Sequence, residues 1–236
     1  MIGLYCDNLP KMEPIMISAA FIDRTLAIGD HDRLLRELAH NGLTLPLPLR
    51  AHLSDSPVGA IALGLRRLAE LTYGPTPLIR ELTETLIHEL ADGRGIADST
   101  GQACPVLTAA AAAALGRLLR DHAGRLSDSQ PAIETARHAA IAALSAMQRP
   151  DGLFQGAVDL GQDQRLMNSA FVADLLAEDE VFGTLCYRHT LLCALEEARD
   201  NCSTTTAPLI DMALRGHPQA PTPHALFHNQ ATLCAA

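Results

Sequence analysis

Aromatic residues are scarce in this sequence, and their absence limits the kinds of site the protein can build. The 236-residue chain has no tryptophan, and only 3% of its residues are aromatic. Clefts that stack sugars and cavities that stabilise carbocations are lined by aromatic rings, so such sites are disfavoured. Since 48% of the residues are hydrophobic, the core must consist mainly of Leu, Ala, Ile and Val. That composition favours close packing of helices.

Lysine is almost absent, and the net charge is negative. Lys11 is the only lysine among 18 basic residues, which face 27 acidic residues and give a formal charge of −9 at pH 7. A duplex nucleic-acid surface needs clustered Lys and Arg side chains, so we expect no nucleic-acid partner. Scarce lysine is typical of a GC-rich bacterial genome. The alternative explanation is a bacterial effector that escapes ubiquitination in a host cell.

Long apolar runs and paired cysteine motifs are missing as well. No segment reaches about 18 uninterrupted apolar residues, so we expect no membrane partner. The N-terminus also lacks the basic and apolar regions of a signal peptide. The six cysteines are scattered without a CxxC pair, which is typical of thiols kept reduced. These features predict a cytoplasmic protein.

The common catalytic signatures do not occur either. The sequence contains no Walker lysine motif, no GxGxxG after a strand, no GxSxG and no HExxH. The aspartate-rich motifs that terpene chemistry requires are also lacking. The absence of these motifs favours a protein without enzymatic activity.

What the sequence does contain is a regular set of helix boundaries. Proline opens one apolar segment after another, and glycine follows the end of several of them. The prolines are Pro57, Pro77, Pro105 and Pro131, and the glycines are Gly93, Gly124 and Gly152. Proline at the first helical position and glycine just past the last one are the expected asymmetry of a helix. Because no segment shows sustained alternation of period two, we predict an all-α fold.

The helices form a repeat. Each unit has a helix, an Asn-Gly or Asp-Gly turn, a loop, and a second helix rich in small residues. The turn glycines Gly42, Gly93 and Gly152 give a period of roughly 50–60 residues, typical of stacked helical hairpins. The Ala-rich helix around 109–114 would let neighbouring backbones approach closely, so we expect the second helices to form the inner layer.

This repeat defines the predicted domain organisation. We predict a flexible N-terminal extension over 1–13, a single helical-repeat domain over 14–215, and a Pro/His-rich C-terminal tail over 216–236. The hairpins of the domain lie at about 31–72, 77–123 and 131–178, and extra helices follow over 181–215.

The phrase ALSAMQRPDGLF at 143–154, followed by a loop and an apolar helix, resembles the repeat of α/α-toroid proteins. That group includes the prenyltransferase and squalene-cyclase-like proteins, several polysaccharide lyases and the lanthionine cyclases. The resemblance covers 31–178 and is strongest over 138–176. It rests on a structural turn, so it implies architecture only. Three hairpins would form a partial toroid or horseshoe, since a full ring of six needs a longer chain.

Three residues of the segment 181–202 could bind a metal. In a continuous helix Cys186, His189 and Cys193 would share one face, and two thiolates with an imidazole suit zinc. Lanthionine cyclases and protein prenyltransferases hold a catalytic zinc with Cys and His, so the resemblance makes zinc the candidate cofactor. The Cys-His-Gly sequence of those families is missing. Because cysteine is often buried, we expect an apolar core face and no cofactor.

Charged residues follow the turn glycines and would gather at one rim if the hairpins stack. The candidate rim residues are Arg94, Asp98, Asp159, Asp163, Arg165 and, from the first unit, His52. Paired carboxylates there could perform acid–base chemistry or recognise a partner. The alternative is solvated or turn-forming charge, which is the expected role of Asp92 and Asp151.

Two functional hypotheses follow. The first is a non-enzymatic helical-repeat protein that binds a protein partner, or a second copy of itself, through its concave or loop-bearing face. A groove lined by Ala and Leu could hold a helix or an extended peptide, and an open end of the stack could self-associate. The second is a small α/α-toroid enzyme, a lyase, hydrolase or cyclase, that acts at the loop rim with or without zinc.

Overall fold

The structure is a computed structural model that describes Leu45 and residues 47–70, 77–122, 126, 128–156 and 160–216. The predicted N-terminal extension, the first half of the first hairpin with Gly42, and the C-terminal tail lie outside the described residues. The rim residue Asp159 also lies outside them.

Within these ranges the chain forms nine α-helices, and no β-strand occurs there. The helices are α1 (Leu47–Ser54), α2 (Pro57–Glu70), α3 (Pro77–Glu89), α4 (Pro105–His122), α5 (Gln130–Met147), α6 (Gln162–Leu175), α7 (Glu180–Leu185), α8 (Arg188–Ala198) and α9 (Ala207–Arg215). A 3₁₀-helix, Arg199–Asn201, lies between α8 and α9. The predicted all-α class is therefore confirmed. None of the helices in the described ranges is long and apolar enough to cross a membrane.

Proline and glycine set the helix boundaries for the reasons that the sequence suggested. Helices α2, α3 and α4 each begin at the predicted proline, whose missing N–H is one that no helix start would pair. Gly93 and Gly152 follow the ends of α3 and α5 with φ of 70° and 86°. Side chains rarely adopt such positive φ values, so the two turns require glycine.

The Ala-rich helix α4 forms the centre of the molecule. It packs against α2, α5 and α6, and also contacts α1. Ala109, Ala111, Ala112 and Ala114 have no exposed surface. Small side chains permit this close approach on several sides of one helix. The first row of neighbouring helices is α2, α4 and α6, and a second row is α3, α5 and α7.

The helix pairs differ from the predicted hairpins. The most extensive contacts join α4 to α5 and α2 to α4, whereas α3 and α4, or α5 and α6, hardly touch. The connections explain the difference, since short connections make consecutive helices antiparallel neighbours. Only a short segment separates α4 from α5, while the loops that contain Gly93 and Gly152 are long enough to carry the chain past its nearest neighbour.

The loops after α3 and α5 are built alike. In each, an aspartate side chain accepts a hydrogen bond from the backbone two residues on, from Arg94 to Asp92 Oδ1 (2.9 Å) and from Leu153 to Asp151 Oδ1 (3.0 Å). Each loop then anchors to the following helix through a buried hydroxyl. The N–H of Ile96 donates to a threonine of α4, and that of Phe154 to a serine of α6. Asp92 and Asp151 thus perform the turn chemistry expected of them.

Candidate functional site

The largest groove of the described structure lies at the end of the helices opposite the glycine loops. It has a volume of about 1070 Å³ and forms where the C-terminal halves of α2, α4 and α6 meet the N-terminal half of α5. We call it the charged groove, because five arginines and five acidic residues line it. The arginines are Arg66, Arg67, Arg117, Arg120 and Arg137, and the acidic residues are Glu134, Asp174, Glu178, Asp179 and Glu180.

Positive charge lines the inner part of the charged groove. Arg66 and Arg67 of α2, Arg117 of α4 and Arg137 of α5 are each half-buried. Their helices are anchored by fully buried leucines close by in sequence, such as Leu65. Three separate helices therefore present guanidinium groups to one opening.

One ion pair is fixed on both sides. Arg137 donates to Asp179 Oδ2 from Nη2 at 2.7 Å and from Nε at 3.0 Å, and the Asp179 side chain is only 8% exposed. Asp179 also caps α7, because its Oδ1 accepts the N–H of Phe182 at 2.9 Å. A guanidinium has five N–H donors, and this pair engages two of them. Arg137 is therefore held in place with donors left to face the groove.

Gly116 makes room for this ion pair. A Cβ atom on Gly116 would lie 3.2 Å from Arg137 Nε and 3.4 Å from Asp179 Oδ2. Glycine lowers the stability of a helix interior, so its place in the long helix α4 is explained by this close approach.

Negative charge lies mainly at the mouth of the charged groove. Glu134, Glu178 and Glu180 are exposed, and Glu178 pairs with Arg120 at 2.9 Å. Asp174 lies deeper and is half-buried. Its burial raises the pKa of Asp174, and the Arg66 guanidinium only partly opposes that shift. The groove thus has an arginine-rich interior and an acidic edge.

The predicted rim residues Asp163 and Arg165 lie at the start of α6, where they hold the loops together. Asp163 accepts hydrogen bonds from the N–H and hydroxyl of Ser203, at 3.0 and 2.9 Å, and from the Thr206 hydroxyl at 3.0 Å. The backbone hydrogen bond from Ser203, followed by the hydroxyl bonds, lowers the pKa of Asp163. Arg165 pairs with Asp151 at 2.7 Å.

The other described rim residues are engaged in a separate loop. Asp98 accepts hydrogen bonds from the hydroxyl and N–H of Thr100, at 2.6 and 2.8 Å, and from the N–H of Gln102 at 3.2 Å. The hydroxyl bond from Thr100 is the main cause of the lowered pKa of Asp98. His52 lies close enough to interact electrostatically with Asp98, and Arg94 donates its N–H within the Asp92 turn.

The rim does contain a second groove, of about 800 Å³, which we call the rim groove. Asp151 and Asp163 line it together with Glu197, Cys202 and Ser203. The structure therefore brings Asp163 to an open cavity, whereas the printed contacts of Asp98 and His52 belong to the loop after α3.

The candidate zinc residues lie on two different segments. Cys186 is 5% exposed and directs its sulfur toward the Ile141 carbonyl, 3.9 Å away. Burial, with a smaller contribution from Asp179, raises the pKa of Cys186 to about 12. Cys193 and His189 are neighbours on α8, with Sγ 3.7 Å from Nε2. No group of three or more His, Cys, Asp or Glu side chains in the described ranges is arranged to hold a metal.

The expectation of one continuous helix over 181–202 is wrong, and Gln148 supplies the reason. The backbone leaves the helical conformation at Cys186, and α8 starts at Arg188. Gln148 of the α5 end accepts the N–H of Tyr187 at 2.8 Å and donates to its carbonyl at 3.2 Å. These bonds replace the helical hydrogen bonds that Tyr187 would otherwise make.

Sequence reasoning missed the charged groove, although one signal for it exists. The tripeptide Ala-Leu-Gly occurs at 62–64 in α2 and at 114–116 in α4, and two arginines follow within four residues in both places. This spacing matches the predicted period of the repeat. Two equivalent helix ends thus carry the same arginine-bearing pattern.

Comparisons with known proteins identify no relative. No protein-family model matches the chain, and no significant match exists among the curated proteins or the solved structures. The resemblance to α/α-toroid repeats therefore stays a prediction.

Proposed function

We propose that this chain is a non-enzymatic helical-repeat protein that binds a protein partner, and that the charged groove is its binding face. The observation that carries this proposal is the convergence of half-buried arginines from α2, α4 and α5 on one opening of about 1070 Å³. Guanidinium groups bind carboxylates in a planar, two-pronged geometry. The volume exceeds the range of about 300–1,000 Å³ of small-molecule pockets, which favours a polypeptide segment.

The proposed architecture is a partial α/α toroid or horseshoe. The two rows of helices, α2–α4–α6 and α3–α5–α7, support it. In such a stack the ends of successive inner helices lie side by side. The charged groove would then be a surface built by the repeat itself, with equivalent arginines from two units.

Affinity capture with matched variants tests the proposal. The groove variant carries Arg66→Gln and Arg117→Gln, and the control carries Arg80→Gln on the exposed face of α3, outside the groove. We expect a partner protein to be enriched from extracts of the source cells by the wild type and the control, and lost with the groove variant. Equal capture by all three proteins would contradict the proposal.

The enzymatic alternative places its chemistry in the rim groove, and the pKa values there argue against it. Although desolvation opposes it, the hydrogen bonds from Arg165 and Leu153 lower the pKa of Asp151. The pKa of Asp163 is lowered as well. Acid–base catalysis by two carboxylates needs one with a raised pKa to donate a proton. Both groups are instead held as carboxylates by structural hydrogen bonds.

Elemental analysis of the purified protein tests the zinc version of that alternative. Because Cys193 and His189 are the neighbouring pair, Cys193→Ser is the informative variant. Stoichiometric zinc that disappears in Cys193→Ser would favour the enzyme. Metal-free protein would leave only a metal-independent reaction at the rim groove.

A further inference from the structure

We infer that the segment bound in the charged groove has an acidic centre flanked by basic residues. This inference rests on the proposed function and specifies the chemistry of the partner. It follows from the arrangement of charge in the groove, where arginines occupy the interior and glutamates the mouth.

The interior is prepared for carboxylates. The ion pair with Asp179 fixes the Arg137 guanidinium before any ligand arrives, and Asp179 is itself held by its cap on α7. A donor that is already ordered loses little conformational entropy on binding. Half-buried arginines are also less screened by water than exposed ones, so their hydrogen bonds to a carboxylate are strengthened.

The mouth selects for basic flanks. Glu134 projects from α5, and Glu180 from the start of α7, so exposed carboxylates lie on two sides of the opening. A ligand that is acidic throughout would place its ends against these carboxylates. Like charges brought together at an interface lower affinity and exclude wrong partners. Lys or Arg residues on both sides of the acidic centre would convert this repulsion into attraction.

A polyphosphate or nucleic acid fits the groove less well. Arginine binds phosphate as readily as carboxylate, but a nucleic acid is uniformly anionic. It would meet the glutamates at the mouth and a protein whose formal charge is −9 at pH 7. The charge order of the groove therefore favours a peptide, and phosphate becomes an outcome of the test.

Two peptides of identical composition and zero net charge test the charge order. One is Lys-Lys-Glu-Glu-Glu-Glu-Lys-Lys, and the other is Glu-Glu-Lys-Lys-Lys-Lys-Glu-Glu, each with a fluorescent label and titrated against the full chain at low salt. We expect the first to bind at least about tenfold more tightly. Similar affinities, a preference for the second peptide, or no binding of either would overturn the inference.

Variants assign the effect to the groove. Arg66→Gln with Arg117→Gln is expected to abolish binding of the first peptide, and Arg66→Lys with Arg117→Lys to keep part of it, because lysine retains charge without the two-pronged geometry. Glu134→Gln with Glu180→Gln should reduce the preference between peptides. Arg80→Gln should change nothing. A groove variant that melts like the wild type and still binds would overturn the inference.

The outcomes separate this inference from the proposed function. If a partner is captured through the groove but the two peptides bind equally, only the charge order is wrong. If no partner depends on the groove, the proposed function fails first. Binding of inorganic tripolyphosphate more tightly than the first peptide would overturn the inference in favour of a phosphate ligand.

Discussion

Gly152 lies directly against the backbone of Thr190. A Cβ atom on Gly152 would stand 2.7 Å from the Thr190 carbonyl carbon and 2.8 Å from its oxygen, and the φ angle of Gly152 is 86°. The turn after α5 therefore needs glycine twice, for its backbone conformation and for its contact with α8.

Replacing Gly152 with alanine should lower the free energy of unfolding by about 2–5 kcal/mol, which combines the cost of positive φ with that of overpacking. Gly93→Ala is the matched control, because Gly93 also has positive φ but nothing lies within 4 Å of its Cβ position. It should lose only the conformational part, about 1–2 kcal/mol. Urea unfolding of both variants measures the difference. Equal losses would show that the contact with α8 contributes nothing.

Ser169 and Thr108 should each be sensitive to loss of the hydroxyl. Ser169 Oγ accepts the buried N–H of Phe154 at 2.8 Å, and Thr108 Oγ1 accepts that of Ile96 at 2.9 Å. In Ser169→Ala or Thr108→Val a buried donor loses its partner, so we expect losses of about 1–3 kcal/mol. Thr135→Val, at an exposed site on α5, is the control and should change stability by less than about 0.5 kcal/mol. Losses no larger than the control would refute the anchoring role.

The helix starts could be predicted because their causes are local. Proline at the first helical position and glycine with positive φ act within a few residues, so the sequence alone places α2, α3 and α4 at Pro57, Pro77 and Pro105. The break at Tyr187 could not be predicted in the same way. Its cause is Gln148, which lies 39 residues earlier and comes close only in the folded chain.

The charged groove was hidden for the same reason. Arg66 and Arg117 are ordinary helical arginines in the sequence, and solvated charge is the natural interpretation of each. They face one opening only because α2 packs against α4. The rim residues were easier to find, since Asp-Gly turns mark the loops. Asp163 indeed lines a groove, but its partner Ser203 is 40 residues away and unpredictable.

Asp179 should contribute to stability through two separable interactions. Asp179→Ala removes both its ion pair with Arg137 and its cap on α7, so we expect a loss of about 2–4 kcal/mol. Asp179→Asn keeps an acceptor for the Phe182 N–H and removes only the charge, so it should lose less, the difference being the cap at about 0.5–2 kcal/mol. Chemical denaturation of both proteins measures these losses. If the two variants are equally unstable, the cap on α7 has no energetic role.

Asp163 should make the fold sensitive to acid. Its pKa is lowered by hydrogen bonds from Ser203 and Thr206, so the folded state holds the ionised form more strongly than the unfolded state does. Its contribution is complete above the unfolded pKa of about 3.9 and is lost as the pH falls through the folded value. Wild-type protein should therefore lose more stability than Asp163→Asn between about pH 6 and about pH 3. Identical losses would contradict the role of the carboxylate.

Asp174 should respond to pH in the opposite direction. Burial raises its pKa in the folded state, so the charged form is disfavoured there near neutral pH. A carboxyl with a raised folded pKa adds stability as the pH falls through that value, since the folded state then binds the proton more strongly. Asp174→Asn, which stays uncharged, should be more stable than the wild type near neutral pH and should approach it as the solution is acidified. Thermal melts of both proteins across this range measure the difference. If Asp174→Asn is instead less stable near neutral pH, then the Arg66 guanidinium outweighs burial, and the interior of the charged groove depends on that carboxylate for its structure.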